Sequence, residues 1–104
     1  MSYNELPKYN SYTNKPTWLI ELWLDNNQCS NEYWLERAQE ILEIVPERSQ
    51  VWTLAEQLKE EHEELNPTTH TGVYSDLMAW ALAHVNWGEI ASNYLENASE
   101  NNEN

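Results

Sequence analysis

Apolar residues recur every three or four positions along most of this chain, which is the spacing of one side of an α-helix. Polar and proline-containing segments interrupt the pattern and divide it into separate elements. The predicted helices span about 17–25, 30–44, 47 or 49 to 65, 73–86 and 86–98. With 2 Gly and 4 Pro, the chain is also poor in the turn residues that an all-β fold needs. We therefore expect an all-α fold, a compact single-domain bundle of about five short helices.

The first predicted helix is apolar on nearly every side. Its run from Trp18 to Leu24 is interrupted only by Glu21, and Thr17 can cap its start. A helix of this kind is expected at the centre of a bundle. A buried strand is the competing interpretation, but the length of the run and the helical segments that follow it favour the helix.

Each later helix has an apolar side that we expect to pack inward. Ser30 or Asn31 can cap the second helix, and Asn86 and Glu89 match the N-cap and N3 positions of a capping box for the last one. The expected inward residues are Trp34, Ala38, Ile41, Leu42 and Val45; Val51, Leu54, Ala55, Leu58 and Leu65; Val73, Leu77, Trp80, Ala81 and Val85; and Trp87, Ile90, Ala91, Tyr94 and Leu95. Outside one helical domain over 17–98, residues 1–16 are predicted to form an extended N-terminal arm and residues 99–104 a polar tail.

The outer sides of the second and third helices carry glutamates in rows. On a wheel of about 100° per residue they lie opposite the apolar residues. These glutamates are Glu32, Glu36, Glu40, Glu43, Glu47, Glu56, Glu60, Glu63 and Glu64. Carboxylates three or four residues apart lie about 4.5–6 Å apart along a helix axis, close to the scale of successive phosphates. We predict that they form the partner-binding surface.

The whole chain is strongly acidic, with 18 Asp and Glu against 5 Lys and Arg and a net charge of −13. Disordered acidic chains contain few aromatic residues, whereas this one has 6 Trp and 6 Tyr, so we expect the charge to lie on a folded scaffold. Direct binding of DNA, RNA or anionic lipid needs basic clusters that the sequence lacks. A basic partner is expected, for which rows of carboxylates mimic a nucleic-acid backbone. The alternative is that the glutamates only keep the outer side solvated.

Two tryptophans, Trp23 and Trp52, do not fit cleanly on an inward side and are candidate anchors of an interface. They support a second hypothesis, in which the protein is an interaction adaptor that binds through exposed aromatic side chains and uses its charge for solubility. A homodimer is compatible with either hypothesis, since a second copy would extend the anionic surface.

Residues with catalytic or metal-binding chemistry do not assemble into a recognisable site. The run Glu61-His62-Glu63-Glu64 looks like a metal cluster, but adjacent helical residues point in different directions and cannot hold one ion. His62 is expected instead to be a hydrogen-bonded residue at the edge of the core. We predict a non-enzymatic protein without catalytic residues, metal or cofactor. The single cysteine, Cys29, and a start without a signal-peptide pattern predict a cytoplasmic location and no membrane association.

Several short motifs carry a family resemblance over nearly the whole chain. The opening Thr13-Asn14-Lys15-Pro16-Thr17-Trp18 and its continuation Leu22-Trp23-Leu24-Asp25-Asn26 match a Thr-Asn-x-x-Thr-Trp and Leu-Trp-Leu-Asp-Asn pattern. Further matches are Glu32-Tyr33-Trp34, Gly72-Val73-Tyr74-Ser75-Asp76-Leu77 and Val85-Asn86-Trp87-Gly88-Glu89-Ile90-Ala91. The chain thereby resembles a family of small proteins of phages, plasmids and bacterial genomes. In that family a Gly-Trp pair precedes the Thr-Asn, where this chain has Ser11-Tyr12.

The resemblance implies a mobile-element setting inside a bacterial cell, and it assigns no catalytic residues. Small acidic proteins in that setting include anti-CRISPR and antirestriction proteins that imitate DNA. Charge and setting together give the hypothesis of an inhibitor that occupies the basic groove of a host CRISPR effector or restriction enzyme. This hypothesis is an analogy by charge and setting, because a fold alone does not assign a function.

Overall fold

The computed structural model describes residues 6–68 and 70–102, and over that part of the chain it consists of five α-helices. In chain order they are α1 (Lys15–Asn26), α2 (Gln28–Ile44), α3 (Glu47–Leu65), α4 (Val73–His84) and α5 (Trp87–Asn102). The predicted all-α class is thereby confirmed. Among these described helices, none is long and apolar enough to cross a lipid bilayer.

Asparagine side chains cap the first two helices, earlier than the sequence predicted. The Oδ1 of Asn14 accepts hydrogen bonds from the backbone N–H and the hydroxyl of Thr17, so Asn14 is the N-cap of α1 and Thr17 lies inside its first turn. Pro16 is tolerated there because the first N–H groups of a helix have no partner within the helix. Asn27 caps α2 in the same way through the N–H of Ser30, which reduces the α1–α2 loop to one residue.

The centre of the bundle is α5, which packs against α2, α3 and α1. Its buried side consists of Trp87, Ile90, Ala91, Tyr94, Leu95 and Ala98. The prediction of a central α1 was wrong, because α1 buries only Thr17, Glu21 and Leu24 while Trp23 is 71 % exposed. An apolar run that surrounds a helix does not determine which of its sides meets the core.

An antiparallel hairpin of α2 and α3 covers one side of α5. Residues near the start of α2 meet residues near the end of α3: the hydroxyl of Tyr33 donates to Oε2 of Glu61 at 2.8 Å, and the rings of Trp34 and His62 stack with centroids 6.4 Å apart. Pro46 lies in the short connection between the two helices and serves as the N-cap residue of α3. The two helices of the hairpin therefore contact each other and both pack against α5.

The fourth helix differs from the prediction, because α4 buries none of its residues. Val73, Leu77 and Trp80, expected inward, are 64 %, 57 % and 50 % exposed. Two residues of α3 that were also expected inward are exposed, Val51 and Leu65. The described core is therefore formed mainly by α2, α3 and α5, to which α1 adds Leu24 and the α4–α5 junction adds Val85, while α4 contacts α1.

The N-terminal segment makes a tight turn before α1 begins. Tyr9 and Tyr12 exchange backbone hydrogen bonds of 3.1 and 2.8 Å, and Asn10 and Ser11 between them have the positive φ angles that a two-residue hairpin turn needs. The part of the predicted arm at 1–5 lies outside the described residues. At the other end, α5 continues to Asn102, through most of the segment predicted as a polar tail.

Candidate functional site

The predicted partner-binding glutamates lie on the solvent side of the α2–α3 hairpin, and we call them together the acidic face. All of them are exposed except Glu56, which is half-buried. The acidic face consists of Glu32, Glu36, Glu40, Glu43, Glu47, Glu56, Glu60, Glu63 and Glu64. The helices keep these side chains outward because Trp34, Ala38 and Ile41 on α2 and Leu54 and Leu58 on α3 are fixed in the core.

Few ion pairs compensate the negative charge of the acidic face within the part of the chain that the structure describes. Between the residues that the structure describes, the one ion pair joins Arg37 Nη1 to Glu40 Oε1 at 3.9 Å. Nη2 of Arg37 also donates to the hydroxyl of Tyr33 at 2.9 Å, and that hydroxyl donates to Glu61. The Tyr33–Glu61 hydrogen bond thereby links α2 to α3.

Both candidate aromatic anchors are exposed. Trp23 is 71 % exposed and Trp52 is 68 % exposed, which agrees with their ambiguous positions in the pattern. Trp23 also lines a cavity of about 460 Å³ together with Leu19, Asn27 and His62. Trp23 offers apolar surface on α1, outside the hairpin, whereas Trp52 lies on α3, which also carries part of the acidic face.

No family model, curated protein or solved structure matches this chain.

A second apolar surface on α4 was missed by the sequence reasoning. Tyr74 is 76 % exposed and lies on the same helix as the exposed Val73, Leu77 and Trp80. The signal was ambiguous, since α4 carries only Asp76 as a carboxylate and no polar side marks the direction of solvent. A helix that is apolar on several sides packs equally well in more than one rotation.

A buried carboxyl, Glu21, was also missed. The side chain of Glu21 is 4 % exposed, and its Oε1 accepts a hydrogen bond from Nδ2 of Asn93 at 2.9 Å. Burial raises the pKa of Glu21 to about 7, nearby Asp25 and Glu89 push it in the same direction, and the Asn93 hydrogen bond opposes them. Its position along the helix could have indicated this burial, because Glu21 lies one turn after Thr17 and one turn before Leu24, the two other buried residues of α1.

The histidines and the cysteine of the described chain do not converge on a metal-binding arrangement. Over residues 6–68 and 70–102, no group of three or more His, Cys, Asp or Glu side chains is placed to hold a metal ion. His62 is half-buried, its Nδ1 lies 2.7 Å from the carbonyl oxygen of Leu58, and its ring packs against Trp34 and Trp87. Its position at the edge of the core agrees with the prediction. Cys29 is exposed.

Proposed function

We propose that this protein is a non-enzymatic inhibitor that places its acidic face in the basic nucleic-acid-binding groove of a host defence complex. The observation that carries the proposal is the set of exposed glutamates on a rigid helical hairpin, with Arg37–Glu40 as the one ion pair between described residues. The helical backbone that carries these carboxylates is already folded before binding, and the carboxylates can meet lysine and arginine side chains as phosphates do.

The spacing of the glutamates along the hairpin supports mimicry of a polynucleotide rather than a role in solubility alone. A soluble helix needs only scattered charges of both signs, and pairs of like charge one turn apart cost a few tenths of a kcal/mol each. Glu32, Glu36, Glu40 and Glu43 repeat that unfavourable spacing along α2. When a cationic groove neutralises these glutamates, the repulsion between them is relieved, and this relief favours binding.

The finer assignment, an anti-CRISPR or antirestriction protein, rests on the resemblance to small proteins of phages and plasmids. Defence nucleases and surveillance complexes hold nucleic acid in basic channels, which an acidic protein of 104 residues can enter or cover. The expected partner is such a host complex in the bacterial cytoplasm, and neither direct nucleic-acid binding nor a membrane is part of the mechanism.

The test is a pull-down from a bacterial host lysate with three immobilised proteins: wild type, Glu36→Lys/Glu43→Lys, and the control Asp76→Lys/Glu100→Lys. Both variants change the net charge equally, but only the first alters the acidic face. We expect the wild type and the control to capture a nucleic-acid-binding complex that added DNA or RNA displaces and that dissociates between about 50 and 300 mM NaCl. Capture that persists in high salt and in the Glu36→Lys/Glu43→Lys variant would reject the mimicry.

The adaptor hypothesis is the second candidate function, and the high exposure of Trp23 and Trp52 favours it. Here a partner binds large apolar side chains, which typically contribute most of the energy at the centre of an interface. In the same pull-down, this hypothesis predicts that Trp23→Ala or Trp52→Ala abolishes capture of the partner. Glu36→Lys/Glu43→Lys and Asp76→Lys/Glu100→Lys should both retain it. The two hypotheses therefore predict opposite results from one set of proteins.

A further inference from the structure

A polar cavity separate from the acidic face lies where the N-terminal turn, α1 and α5 meet. Its volume is about 340 Å³, at the lower end of the roughly 300–1,000 Å³ of ligand pockets. The lining residues that matter here are Tyr12 from the turn, Glu21 and Asp25 from α1, and Asn93, Tyr94 and Glu96 from α5. No cation of the chain lines this cavity among the described residues.

Two buried polar atoms at the cavity have no hydrogen-bond partner in the described structure. They are Oε2 of Glu21 and the hydroxyl oxygen of Tyr94, on side chains that are only 4 % and 2 % exposed. Burying a polar group without a partner is energetically costly, so such a group is rarely retained without a role. Both residues line the same cavity, so a group bound there lies next to both side chains.

The lining selects for a cation that donates several hydrogen bonds. Glu21, Asp25 and Glu96 supply carboxylate acceptors, which repel a phosphate or carboxylate ligand. The described residues offer no group of three acidic, histidine or cysteine side chains arranged for a metal ion, and an organic cation with several N–H donors suits this lining better. A guanidinium is flat and presents five N–H donors, enough to reach more than one carboxylate and a phenolic oxygen at once.

We propose that this cavity, which we call the Glu21 pocket, binds a guanidinium group through Oε2 of Glu21, the carboxylate of Asp25 and the hydroxyl of Tyr94. The occupant is either an arginine side chain of the basic partner or a free guanidinium compound. The partner form rests on the proposed function, because it requires a basic protein surface. Binding of the group itself does not, and it can be measured on the isolated protein.

Proton release should accompany this binding. Burial raises the pKa of Glu21 to about 7, with Asp25 on α1 and Glu89 on α5 adding to the effect and Asn93 on α5 opposing it. Tyr12 and Tyr94, which also face the pocket, have pKa values raised mainly by burial and stay neutral near pH 7. A bound cation favours ionised Glu21, so affinity should increase as the pH rises from about 6 to about 8.

The experiment is an NMR titration of the ¹⁵N-labelled full chain at constant ionic strength, following the side-chain amide of Asn93 and the backbone amides of α5. Agmatine represents a free guanidinium compound, and a blocked Gly-Gly-Arg-Gly-Gly peptide represents an arginine of a partner. The matched control peptide carries citrulline, which has nearly the same shape as arginine without its charge. Glu21→Gln is the pocket variant, Glu36→Gln the control that removes one exposed carboxylate, and Asp25→Asn a second pocket variant.

We expect saturable shifts with agmatine or the arginine peptide, none with the citrulline peptide, and affinity weakened about tenfold or more by Glu21→Gln but not by Glu36→Gln. Binding of the peptide identifies a partner's arginine as a possible occupant, and binding of agmatine alone identifies a small molecule. Equal shifts with arginine and citrulline, no shifts with either guanidinium, or equal affinity in the wild type and both pocket variants would overturn the proposal. The Glu36→Lys/Glu43→Lys protein should bind the guanidinium normally, so failure of the acidic face and failure of the pocket are distinguishable.

Discussion

The hydroxyl of Thr17 accepts a hydrogen bond of 2.8 Å from the backbone N–H of Asn86, a residue 69 positions further along the chain. The same hydroxyl donates to Oδ1 of Asn14 at 2.7 Å, and Nδ2 of Asn14 donates to the carbonyl oxygen of His84 at 2.7 Å. Thr17 and Asn14 are both buried. These bonds hold the start of α1 against the junction of α4 and α5, and they give α4 much of its polar attachment to the bundle.

Replacing Thr17 with valine should destabilise the fold, because valine keeps the shape of the side chain and removes its hydroxyl. The N–H of Asn86 then loses its acceptor, and Oδ1 of Asn14 loses one of its two donors within α1. The expected loss is about 1–3 kcal/mol in the free energy of unfolding, measured by chemical denaturation followed by circular dichroism. Thr71→Val, in an exposed part of the loop before α4, is the control and should change stability by less than about 0.5 kcal/mol. Equal effects of the two variants would contradict this role of Thr17.

Glu21 should make the stability of the protein depend on pH. Its pKa is about 7 in the folded protein against the ordinary 4.5, so the folded state holds this proton where the unfolded chain releases it. Its contribution to the free energy of unfolding should therefore decline as the pH rises from about 4.5 to about 7 and stay low above that. Glu21→Gln removes the charge, and we expect it to stabilise the protein by about 2–3 kcal/mol at pH 8 and to leave stability nearly unchanged at pH 4.5.

The comparison that isolates this effect uses Glu36→Gln, which removes an exposed carboxylate of α2. Denaturant midpoints of the three proteins between pH 4.5 and pH 8 give the result directly. The gap between Glu21→Gln and the wild type should open with rising pH, and the curve of Glu36→Gln should remain parallel to that of the wild type. A gap that does not change with pH would show that Glu21 is ionised throughout this range in the folded state.

The sequence predicted α2, α3 and α5 well because each has an apolar side and a strongly polar side. Their carboxylates and asparagines indicate the side that faces solvent as clearly as Trp34, Leu54 and Ile90 indicate the side that faces the core. The exposed glutamates of the acidic face were therefore predictable as outward residues, although nothing in the pattern identifies what binds them. The N-cap at Asn86 was also predicted from the sequence, and the structure confirms it: Oδ1 of Asn86 accepts a hydrogen bond from the N–H of Glu89 at 3.0 Å.

The same reasoning failed for the helices that lack a distinct polar side. In α1 and α4 apolar residues occur on several sides, so the rotation of each helix is decided by long-range contacts such as Asn14 with His84. Glu89 shows a second limit: it occupies the expected capping-box position, but its Oε1 accepts from the backbone N–H and the hydroxyl of Thr13. The N–H of Asn86, which the box would have satisfied, donates to Thr17 instead. Partners so distant in the sequence leave no local pattern.

The buried and exposed tryptophans should differ sharply in their effect on stability. Trp34 is 4 % exposed and lies in the core, whereas Trp52 is 68 % exposed on α3. Trp34→Ala leaves a large cavity and should lower the free energy of unfolding by roughly 3–5 kcal/mol, or prevent folding altogether. Trp52→Ala should change it by less than about 1 kcal/mol, measured by thermal and denaturant unfolding. A large loss with Trp52→Ala would mean that this side chain is buried in solution, for example against a second copy of the chain.

The acidic face should cost stability, and removing part of it should make the protein more robust. In Glu36→Lys/Glu43→Lys, each new lysine lies one helical turn from a glutamate of α2, such as Glu32 or Glu40, and converts repulsion into attraction worth about 0.2–0.5 kcal/mol per pair. The variant should therefore unfold at a higher denaturant concentration than the wild type at low salt, and the difference should shrink near 1 M NaCl, where the Debye length is about 3 Å. Lower stability than the wild type would show that these carboxylates make favourable contacts within the fold. Higher stability together with lost capture of a basic partner would mean that the glutamate rows are kept for binding at the expense of folding.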